Sequence, residues 1–302
     1  MSDDNDRRLS LWLRIIRAYT FNFPINRGKG RVFRFAKRFC RHFPKATVVP
    51  TRDGRQIRVG FRDWGDDHIF FLGTYEAFCT SVIRQFIREG SICFDVGANI
   101  GWYTTLFQSL CGPEGAVHSF EPVPSTFEEL KRNVSLNVNA SRVFLNDFGL
   151  GDQQEETEMF LFPDLPSGHA SLANNSKIAS TAVSVRLTTL NSYVKENQID
   201  HVDLVKVDIE GAEIMFLKGA TRLFDQKTPP VILMEMSRET CRAFDYSPED
   251  LLEYISSRAR YDFFVLNEKL EKLDPIRHFG AHPAGANVLC VPGVHGNQMS
   301  EA

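Results

Sequence analysis

A short apolar stretch that ends near an acid and runs into a glycine turn constrains the fold of this chain most. Ser91 to Val96 predicts a β-strand, Gly97 to Gly101 a tight turn, and Tyr103 to Leu110 a helix, from the spacing of their apolar residues. A strand that passes through glycines into a helix N-terminus forms the ligand-binding corner of nucleotide-binding α/β proteins. We therefore expect an α/β fold with a parallel sheet.

The spacing inside this turn predicts which ligand it holds. Gly97 and Gly101 are separated by three other residues, so the G-x-G-x-x-G pattern of pyrophosphate sites is absent. Asp95 lies near the end of the strand, and its negative charge also disfavours a pyrophosphate. The same charge suits a ligand that carries an ammonium group, such as the methionine part of S-adenosylmethionine.

A second segment with the character of a strand ends in another carboxylate. Gly115 to Phe120 leads to Glu121 and Pro122. Glu121 comes 20 residues after Gly101 (121 − 101), an offset at which an acid accepts hydrogen bonds from ribose hydroxyls. The combination favours S-adenosylmethionine over an NAD-type dehydrogenase and over a plain strand–turn–helix in which Asn99 caps the helix.

Two other polar positions extend the predicted cofactor site. Glu76 precedes a predicted helix, where it is either a helix-start acid or a contact for the ammonium group of the ligand. Asn146 and Asp147 follow a strand that begins at Val143, where they either meet the adenine amine or form a simple turn. The predicted cofactor-binding residues are Glu76, Asp95, Gly97, Ala98, Asn99, Gly101, Tyr103, Glu121, Pro122, Asn146 and Asp147.

Further polar residues follow a later strand and occupy a long loop. Val202 to Asp208 predicts a buried strand, and Glu210 and Glu213 come directly after it. Because ligands of open α/β sheets lie at the carboxyl ends of the strands, Asp208 is expected to face a ligand, whereas a helix start alone explains Glu213. His169 is the only residue of the loop from Pro163 to Ser180 that titrates near neutral pH, and a functional role and an ordinary loop position are both open.

In this order and at these distances, the motifs resemble the FkbM family of methyltransferases, over about residues 70 to 292. The resemblance is carried by Leu72 to Glu76, Asp95 to Thr104, Ser119 to Pro122 and Lys206 to Glu213. It implies S-adenosylmethionine-dependent O-methylation on a Rossmann-like class I methyltransferase sheet with helices on both faces. Members act on hydroxyls of sugars, glycolipids and polyketide-type metabolites, so a small-molecule, glycan or lipid-linked acceptor is expected. Asn191 departs from the family, which often has Asp there, and we expect little consequence.

Methyl transfer from a sulfonium to an oxygen requires the protein mainly to align two partners and to help a hydroxyl lose its proton. Asp208 and His169 are the candidates for the catalytic base, and Glu210 is a candidate for positioning the hydroxyl. In a rival hypothesis, Asp208, Glu210 and Glu235 bind a divalent cation that acidifies a diol. No complete ligand set is evident in the sequence, so no metal site is predicted.

Positive charge is concentrated near the N-terminus. The net charge of the 302 residues is −3, yet residues 7 to 52 contain thirteen Lys or Arg and no Asp or Glu, with aromatic residues between them. Leu9 to Tyr19 and Arg31 to His42 predict two helices. We expect a helical cap with a solvated basic face; the alternative is contact of residues 7–45 with an anionic membrane or an acidic substrate.

Two rival classes of function remain. An RNA methyltransferase would use the basic N-terminus as its electrostatic footprint, but that run is local and the rest of the chain is acidic, so a nucleic acid is not the expected partner. A non-catalytic module that merely binds the cofactor is disfavoured by the intact signature of Asp95 and Glu121. The oligomeric state is left open.

The remaining expectations concern organisation. Six scattered cysteines without a C-x-x-C pair, no signal peptide and no membrane-spanning run predict a cytoplasmic protein. The predicted parts are a basic helical extension (1–46), the Rossmann-like domain (47–292) and a loose tail (293–302). Other predicted elements are a hairpin from Thr47 to Phe61 that turns at Asp53 and Gly54, a helix that ends at Glu89, a helix from Ser125 to Asn139 with a capping box from Ser125 to Glu128, and strands at Thr157 to Phe162 and Thr181 to Leu187.

Overall fold

The computed structural model describes residues 11–22, 45–61, 64–137, 141–162, 170–173, 179–280 and 285–293. The helices are α1 (Leu11–Asn22), α2 (Trp64–Leu72), α3 (Ala77–Ile83), α4 (Trp102–Leu110), α5 (Pro124–Ser135), α6 (Leu190–Glu196), α7 (Glu213–Gly219), α8 (Arg238–Arg242) and α9 (Pro248–Arg258). The strands are β1 (Thr47–Pro50), β2 (Gln56–Val59), β3 (Ile92–Val96), β4 (Ala116–Phe120), β5 (Arg142–Asn146), β6 (Gly149–Leu150), β7 (Glu155–Leu161), β8 (Ala170–Ser171), β9 (Thr181–Thr188), β10 (Leu204–Val207), β11 (Val231–Met236), β12 (Tyr261–Asn267), β13 (Lys272–Ile276) and β14 (Ala286–Pro292).

Eight strands form one mixed sheet in the order β13-β12-β14-β11-β10-β3-β4-β5. The five strands from β11 to β5 run parallel, and β14 lies antiparallel between β11 and β12. Parallel neighbours need a crossover, and here α4 connects β3 to β4 while α5 connects β4 to β5. This arrangement confirms the predicted Rossmann-like α/β fold, and it brings the carboxyl ends of β3, β4, β10 and β11 to one edge of the sheet.

The central strands are buried on both faces, which explains their nearly continuous apolar sequences. Because side chains alternate along a strand, Phe94 and Val96 pack into one core cluster and Cys93 into the other. The same alternation puts Val205 and Val207 of β10 in the first cluster and Leu204 in the second.

A second, four-stranded sheet covers part of the carboxyl edge. Its order is β6-β9-β7-β8, with β7 antiparallel to both β8 and β9. β7 and β9 confirm the two strands predicted in this region. Met159, Val185 and Leu187 form a small apolar cluster with Val123, which follows β4. Residues 163–169 and 174–178 of the intervening loop lie outside the described residues.

The N-terminal part of the chain packs on the domain through α1 and a hairpin. α1 confirms the first predicted helix with shifted bounds, whereas Arg31 to His42 falls outside the described residues. β1 and β2 pair as predicted, with Gly54 in the left-handed region (φ 88°). The Arg55 guanidinium, on the hairpin, lies 4.4 Å from the centroid of the Trp102 ring and so ties the hairpin to α4. Among the described residues, no helix has the length and apolar character needed to cross a membrane.

Several predicted helix ends were wrong. α5 begins at Pro124 and ends at Ser135, and no side chain caps it at Val123, so the capping box at Ser125 is not formed. Pro124 takes the first helical position because its fixed φ suits a helix and it has no N–H to satisfy. Before β3, α3 gives way to a 3₁₀ turn over Arg84–Phe86, so the helix ends short of Glu89.

Asn191 has partners on both sides of its amide. Its Nδ2 donates to Thr221 Oγ1 across 2.9 Å, and its Oδ1 accepts from the backbone N–H of Arg222 across 2.9 Å. These bonds connect the start of α6 to the 3₁₀ turn at Thr221–Leu223.

Candidate active site

The glycine turn after β3 is held in place by the end of a neighbouring strand. Gly97 has φ 78°, and a Cβ at this position would overlap the backbone carbonyl oxygen of Asp208. The N–H groups of Gly97 and Ala98 donate to the carbonyl oxygen of Phe120, at 3.1 and 3.0 Å. Glycine is therefore required at position 97 both for its conformation and for the close approach of β10.

Glu121 is fixed by two backbone groups. Its Oε2 accepts from the N–H of Asn99 across 3.0 Å, and its Oε1 accepts from the N–H of Val123 across 2.9 Å. Burial raises the pKa of this carboxyl to about 7, against the lowering effect of these two bonds. Each carboxylate oxygen has a second lone pair, so Glu121 can accept two more hydrogen bonds from a diol.

A cavity of 530 Å³ opens along the carboxyl edge of the sheet, within the size range of ligand sites. On the β4 side its lining is mainly apolar, apart from Glu121, and comes partly from the second sheet. On the β10 side the lining is acidic. The apolar group includes Phe120, Pro122, Val123, Leu150, Met159 and Leu187, and the acidic group consists of Glu76, Asp208, Glu210 and Glu235. The cavity thus combines an apolar wall with a polar one, as a nucleoside with a charged extension requires.

Asp95 lines a smaller adjoining cavity together with Gly97, Asn99 and Tyr103. Its Oδ2 accepts from Thr104 Oγ1 across 2.6 Å, and its Oδ1 is buried without a hydrogen-bond partner among the described residues. A buried, unsatisfied carboxylate oxygen is costly unless a donor completes it. The assignment of Asp95 to a ligand ammonium stays a prediction.

Lys206 is a buried cation that sequence analysis did not assign to the site. Its Nζ donates to Asp208 Oδ2 across 2.7 Å and lies 5.1 Å from the centroid of the Tyr103 ring. Burial lowers the pKa of Lys206, but the charges of Asp208, Asp95 and Glu76 outweigh burial and raise the pKa above its usual value. Lys206 is therefore the positive centre of an acidic site. The sequence signal that could have identified this residue is a lysine inside the otherwise apolar strand Leu204–Val207.

Glu76 and Tyr103, which are both predicted for the cofactor site, lie together. The Tyr103 hydroxyl donates to Glu76 Oε2 across 2.6 Å, and Asn287 Nδ2 donates to Glu76 Oε1 across 3.2 Å. Glu76 has φ 43°, a left-handed conformation that is uncommon outside glycine and common at functional sites. Asn287 is a second residue that sequence analysis missed, since β14 is distant from the motifs in the chain.

Asp208 and Glu235 are neighbours at the ends of β10 and β11. The charge of Asp208, then burial, and a hydrogen bond to Asp208 raise the pKa of Glu235 well above its usual value. A raised pKa favours the neutral form of Glu235. Glu210 also lines the cavity.

Glu213 is not among the residues that line the cavity of 530 Å³. Its Oε1 accepts from the N–H of Gly211 across 3.1 Å and its Oε2 from the Tyr246 hydroxyl across 2.8 Å. Burial raises the pKa of Glu213 to about 7. Its contacts give it a structural role at the start of α7.

Several predicted residues are not brought into the cavity. Asn146 Nδ2 donates to the carbonyl oxygen of Ser119 across 3.1 Å, and Asp147 accepts from Arg186 across 2.6 Å. Neither residue lines the cavity of 530 Å³. Gly101 precedes α4 with φ 91°, as a backbone element of the turn. His169 lies outside the described residues.

No group of three or more His, Cys, Asp or Glu that could hold a metal ion is found in the part of the chain that the structure describes. Asp208, Glu210 and Glu235 nevertheless line one cavity. Binding of a cation by these three residues stays a hypothesis.

Comparison with known proteins gives a family match and several related chains. Residues 95–263 match the family described as the methyltransferase FkbM domain. The chain is 30% identical over 148 residues to methyltransferase 1 of Beauveria bassiana, covering 43% of this chain and 59% of that one. It is 29% identical over 160 residues to 31-O-demethyl-FK506 methyltransferase FkbM of Streptomyces tacrolimicus (44% and 60%). It is 31% identical over 145 residues to hexuronic acid methyltransferase AglP of Haloferax volcanii (46% and 55%).

The matched segment thus spans between 55% and 60% of the length of these relatives. Among solved structures, the chain is similar to an S-adenosylmethionine-dependent O-methyltransferase of Thermotoga maritima, with a TM-score of 0.39 and 11% identity over 83% of this chain and 79% of that one.

Proposed function

The chain belongs to the FkbM family of S-adenosylmethionine-dependent methyltransferases, and from this premise we propose that it methylates a hydroxyl oxygen of a sugar, a glycolipid or a secondary metabolite. Two relatives support this class of acceptor by name, one for an O-demethylated metabolite and one for a hexuronic acid. The single observation that carries the proposal is the cavity that runs from Glu121 to Asp208. It connects a carboxylate suited to bind the ribose of the cofactor with an acidic wall suited to bind the acceptor hydroxyl.

The cofactor assignment rests on three features of the site. Glu121 accepts the ribose hydroxyls, with its two oxygens already oriented by backbone N–H groups. Asp95 accepts the ammonium group through its unsatisfied Oδ1. Leu150, Met159 and Leu187 form the apolar wall against the nucleobase. When bound, S-adenosylmethionine supplies a methyl group on a positively charged sulfur.

Asp208 is the group we assign to the acceptor hydroxyl. It lines the cavity, and the ammonium group of Lys206, which donates a hydrogen bond to it, favours its ionised form. A carboxylate in this state can accept a proton from the acceptor hydroxyl as the new bond to carbon forms. Glu210 positions the hydroxyl from the same wall. His169 is the second candidate for the base.

A transfer screen tests the proposed function. The full chain is incubated with S-adenosylmethionine labelled in its methyl group and with panels of glycans, lipid-linked sugars, metabolite alcohols and RNA. We expect the labelled methyl group in an ether formed on a hydroxyl of one of the other panels and no label in RNA. Transfer to RNA alone would contradict this proposal and would mean that the chain is an RNA methyltransferase. Binding of the cofactor without transfer to any panel would favour a non-catalytic module.

A further inference from the structure

α1 is a helix with two different faces, and one face is fixed to the domain. Leu13 and Thr20 are fully buried. The Thr20 hydroxyl donates to the carbonyl oxygen of Phe71 across 2.5 Å, and Arg17 Nε donates to the carbonyl oxygen of Phe70 across 3.0 Å. These contacts hold α1 against α2, so the orientation of its other face is fixed as well.

The other face presents large apolar side chains to solvent. Trp12 is 70% exposed, Ile15 is 50% exposed and Tyr19 is 46% exposed. Their spacing of three and then four residues aligns them in one stripe along the helix. Single exposed apolar residues are ordinary, but a contiguous stripe of this kind marks an interaction surface.

The segment that contains this stripe is strongly basic in sequence. Residues 7–52 contribute +13, whereas the whole chain has a net charge of −3, which leaves −16 (−3 − 13) for the remainder. Arg14 is exposed on α1 beside the stripe. A surface with exposed apolar groups within a basic segment complements a partner that is both anionic and apolar.

The residue types of the stripe favour an anionic lipid surface over RNA, which is the other anionic partner considered. Trp and Tyr are the residues that settle at the boundary between lipid headgroups and acyl chains. Ile15, in the centre of the stripe, adds apolar area but cannot stack on a nucleobase in the way an aromatic ring does. Interfacial helices combine apolar residues, including Trp, with Lys or Arg.

We propose that α1 docks the protein onto an anionic lipid surface. Trp12, Ile15 and Tyr19, which we call the apolar stripe, enter the headgroup region, and the exposed Arg14 beside them faces the anionic headgroups. The buried face of α1 keeps its contacts with α2, so docking requires no refolding of the domain. The helix is therefore a cap on one face and a membrane contact on the other.

Vesicle binding tests this docking without any methyl acceptor. The full chain is mixed with phosphatidylcholine vesicles that either contain or lack phosphatidylglycerol, and bound protein is measured by flotation at low and high salt. We expect binding to the anionic vesicles that weakens with salt, and weak binding to the neutral ones. Replacing all three residues of the apolar stripe with Ala should lower the partition coefficient by about tenfold or more.

Control variants distinguish binding through the apolar stripe from the loss of any exposed apolar side chain and from unfolding. Leu270→Ala removes an apolar side chain that is 65% exposed on the β12–β13 turn, and its binding should equal that of the wild type. Arg14→Glu should weaken binding to anionic vesicles, and unchanged circular dichroism should establish that each variant is folded. The proposal is overturned if the wild type ignores anionic vesicles, if the triple variant binds them as well as the wild type, or if only RNA binding depends on the apolar stripe.

Discussion

The Nζ atom of Lys206 donates a hydrogen bond of 2.7 Å to Oδ2 of Asp208, two residues further along the chain. The register of β10 against β3 also sets Lys206 beside Asp95. One buried ammonium therefore connects the carboxylate proposed for the cofactor with the carboxylate proposed for the acceptor. Its charge compensates both acids, of which Asp95 is buried from water and Asp208 is 27% exposed.

We predict that Lys206→Met destabilises the protein strongly. The substitution keeps the side-chain length but leaves Asp95, Asp208 and Glu76 as uncompensated neighbours in a buried site. Breaking a buried ion pair by removing one partner costs about 3–5 kcal/mol. Urea unfolding followed by circular dichroism measures the change in the free energy of unfolding.

Lys272→Met is the matched control, because its ion pair with Asp274 spans 2.6 Å but its side chain is 52% exposed. An exposed pair contributes roughly 0–1 kcal/mol, so this variant should unfold close to the wild type. Equal losses in the two variants would mean that Lys206 contributes no more than a surface charge.

We predict that cofactor binding depends on the ionisation of Glu121. Burial raises the pKa of this carboxyl to about 7, so it is largely protonated near pH 6 and ionised near pH 8. Ribose hydroxyls donate to the ionised form, and the dissociation constant for S-adenosylmethionine should be roughly tenfold larger near pH 6 than near pH 8. Calorimetry at the two pH values measures this difference.

Glu121→Gln keeps the size of the side chain and cannot ionise. Its affinity should be lower by about 1–3 kcal/mol at pH 8, and the pH dependence should disappear. Wild-type affinity in Glu121→Gln would remove the ribose assignment.

Glu213 makes a separate prediction about stability. Burial raises its pKa to about 7 from a model-peptide value of 4.5, so the folded state holds its proton more tightly than the unfolded state. The contribution to stability is therefore fully present below pH 4.5 and is lost as the pH rises through 7. Each pKa unit corresponds to about 1.4 kcal/mol, which gives a loss of up to about 3 kcal/mol.

The comparison with Glu213→Gln isolates this contribution, since the amide retains hydrogen bonding toward Gly211 and Tyr246 but does not titrate. The stability of the variant relative to the wild type should increase between pH 5 and pH 8. A difference that stays constant over this range would mean that Glu213 keeps an ordinary pKa.

The local features of the site could be predicted from the sequence because each is determined by a few adjacent residues. Gly97 and Glu121 are examples: strand, turn and strand end follow one another, and the two lie at the same edge once the sheet forms. Lys206 could not be interpreted in this way, because its partner Asp95 lies on a different strand, 111 residues earlier (206 − 95). Only the register between β3 and β10 brings them together.

The direction of side chains at strand ends could not be predicted from the sequence. Asn146 does end its strand, as predicted, but its amide faces the backbone of β4 and the Tyr193 hydroxyl. Strand position alone does not determine which neighbour a terminal side chain contacts. Leu150 and Met159 were missed because they come from the second sheet, whose placement over the cavity depends on tertiary packing.

The last prediction concerns Asp208, which we expect to serve the acceptor. Asp208→Asn keeps the shape of the side chain and removes the charge that would accept the hydroxyl proton. Single-turnover methyl transfer should slow by roughly 10²–10⁴-fold, whereas the dissociation constant for S-adenosylmethionine should stay within about twofold of the wild-type value. Chemical-quench measurement of product gives the single-turnover rate, and calorimetry gives the dissociation constant for S-adenosylmethionine, both on the same protein.

Glu235→Gln is the control for charge, because the raised pKa of Glu235 already favours its neutral form, so this variant should retain most of the rate. Added magnesium and a chelator distinguish a base from a ligand of a cation. If Asp208 is a base, neither changes the wild-type rate of methyl transfer, whereas both change it if Asp208 and Glu210 form a metal site. An unchanged single-turnover rate in Asp208→Asn would exclude both roles and make His169 the base to test next. A loss of cofactor affinity with an unchanged rate at saturating cofactor would instead mean that Asp208 acts through Lys206 and Asp95 on the cofactor, because uniform binding is then what the substitution has removed.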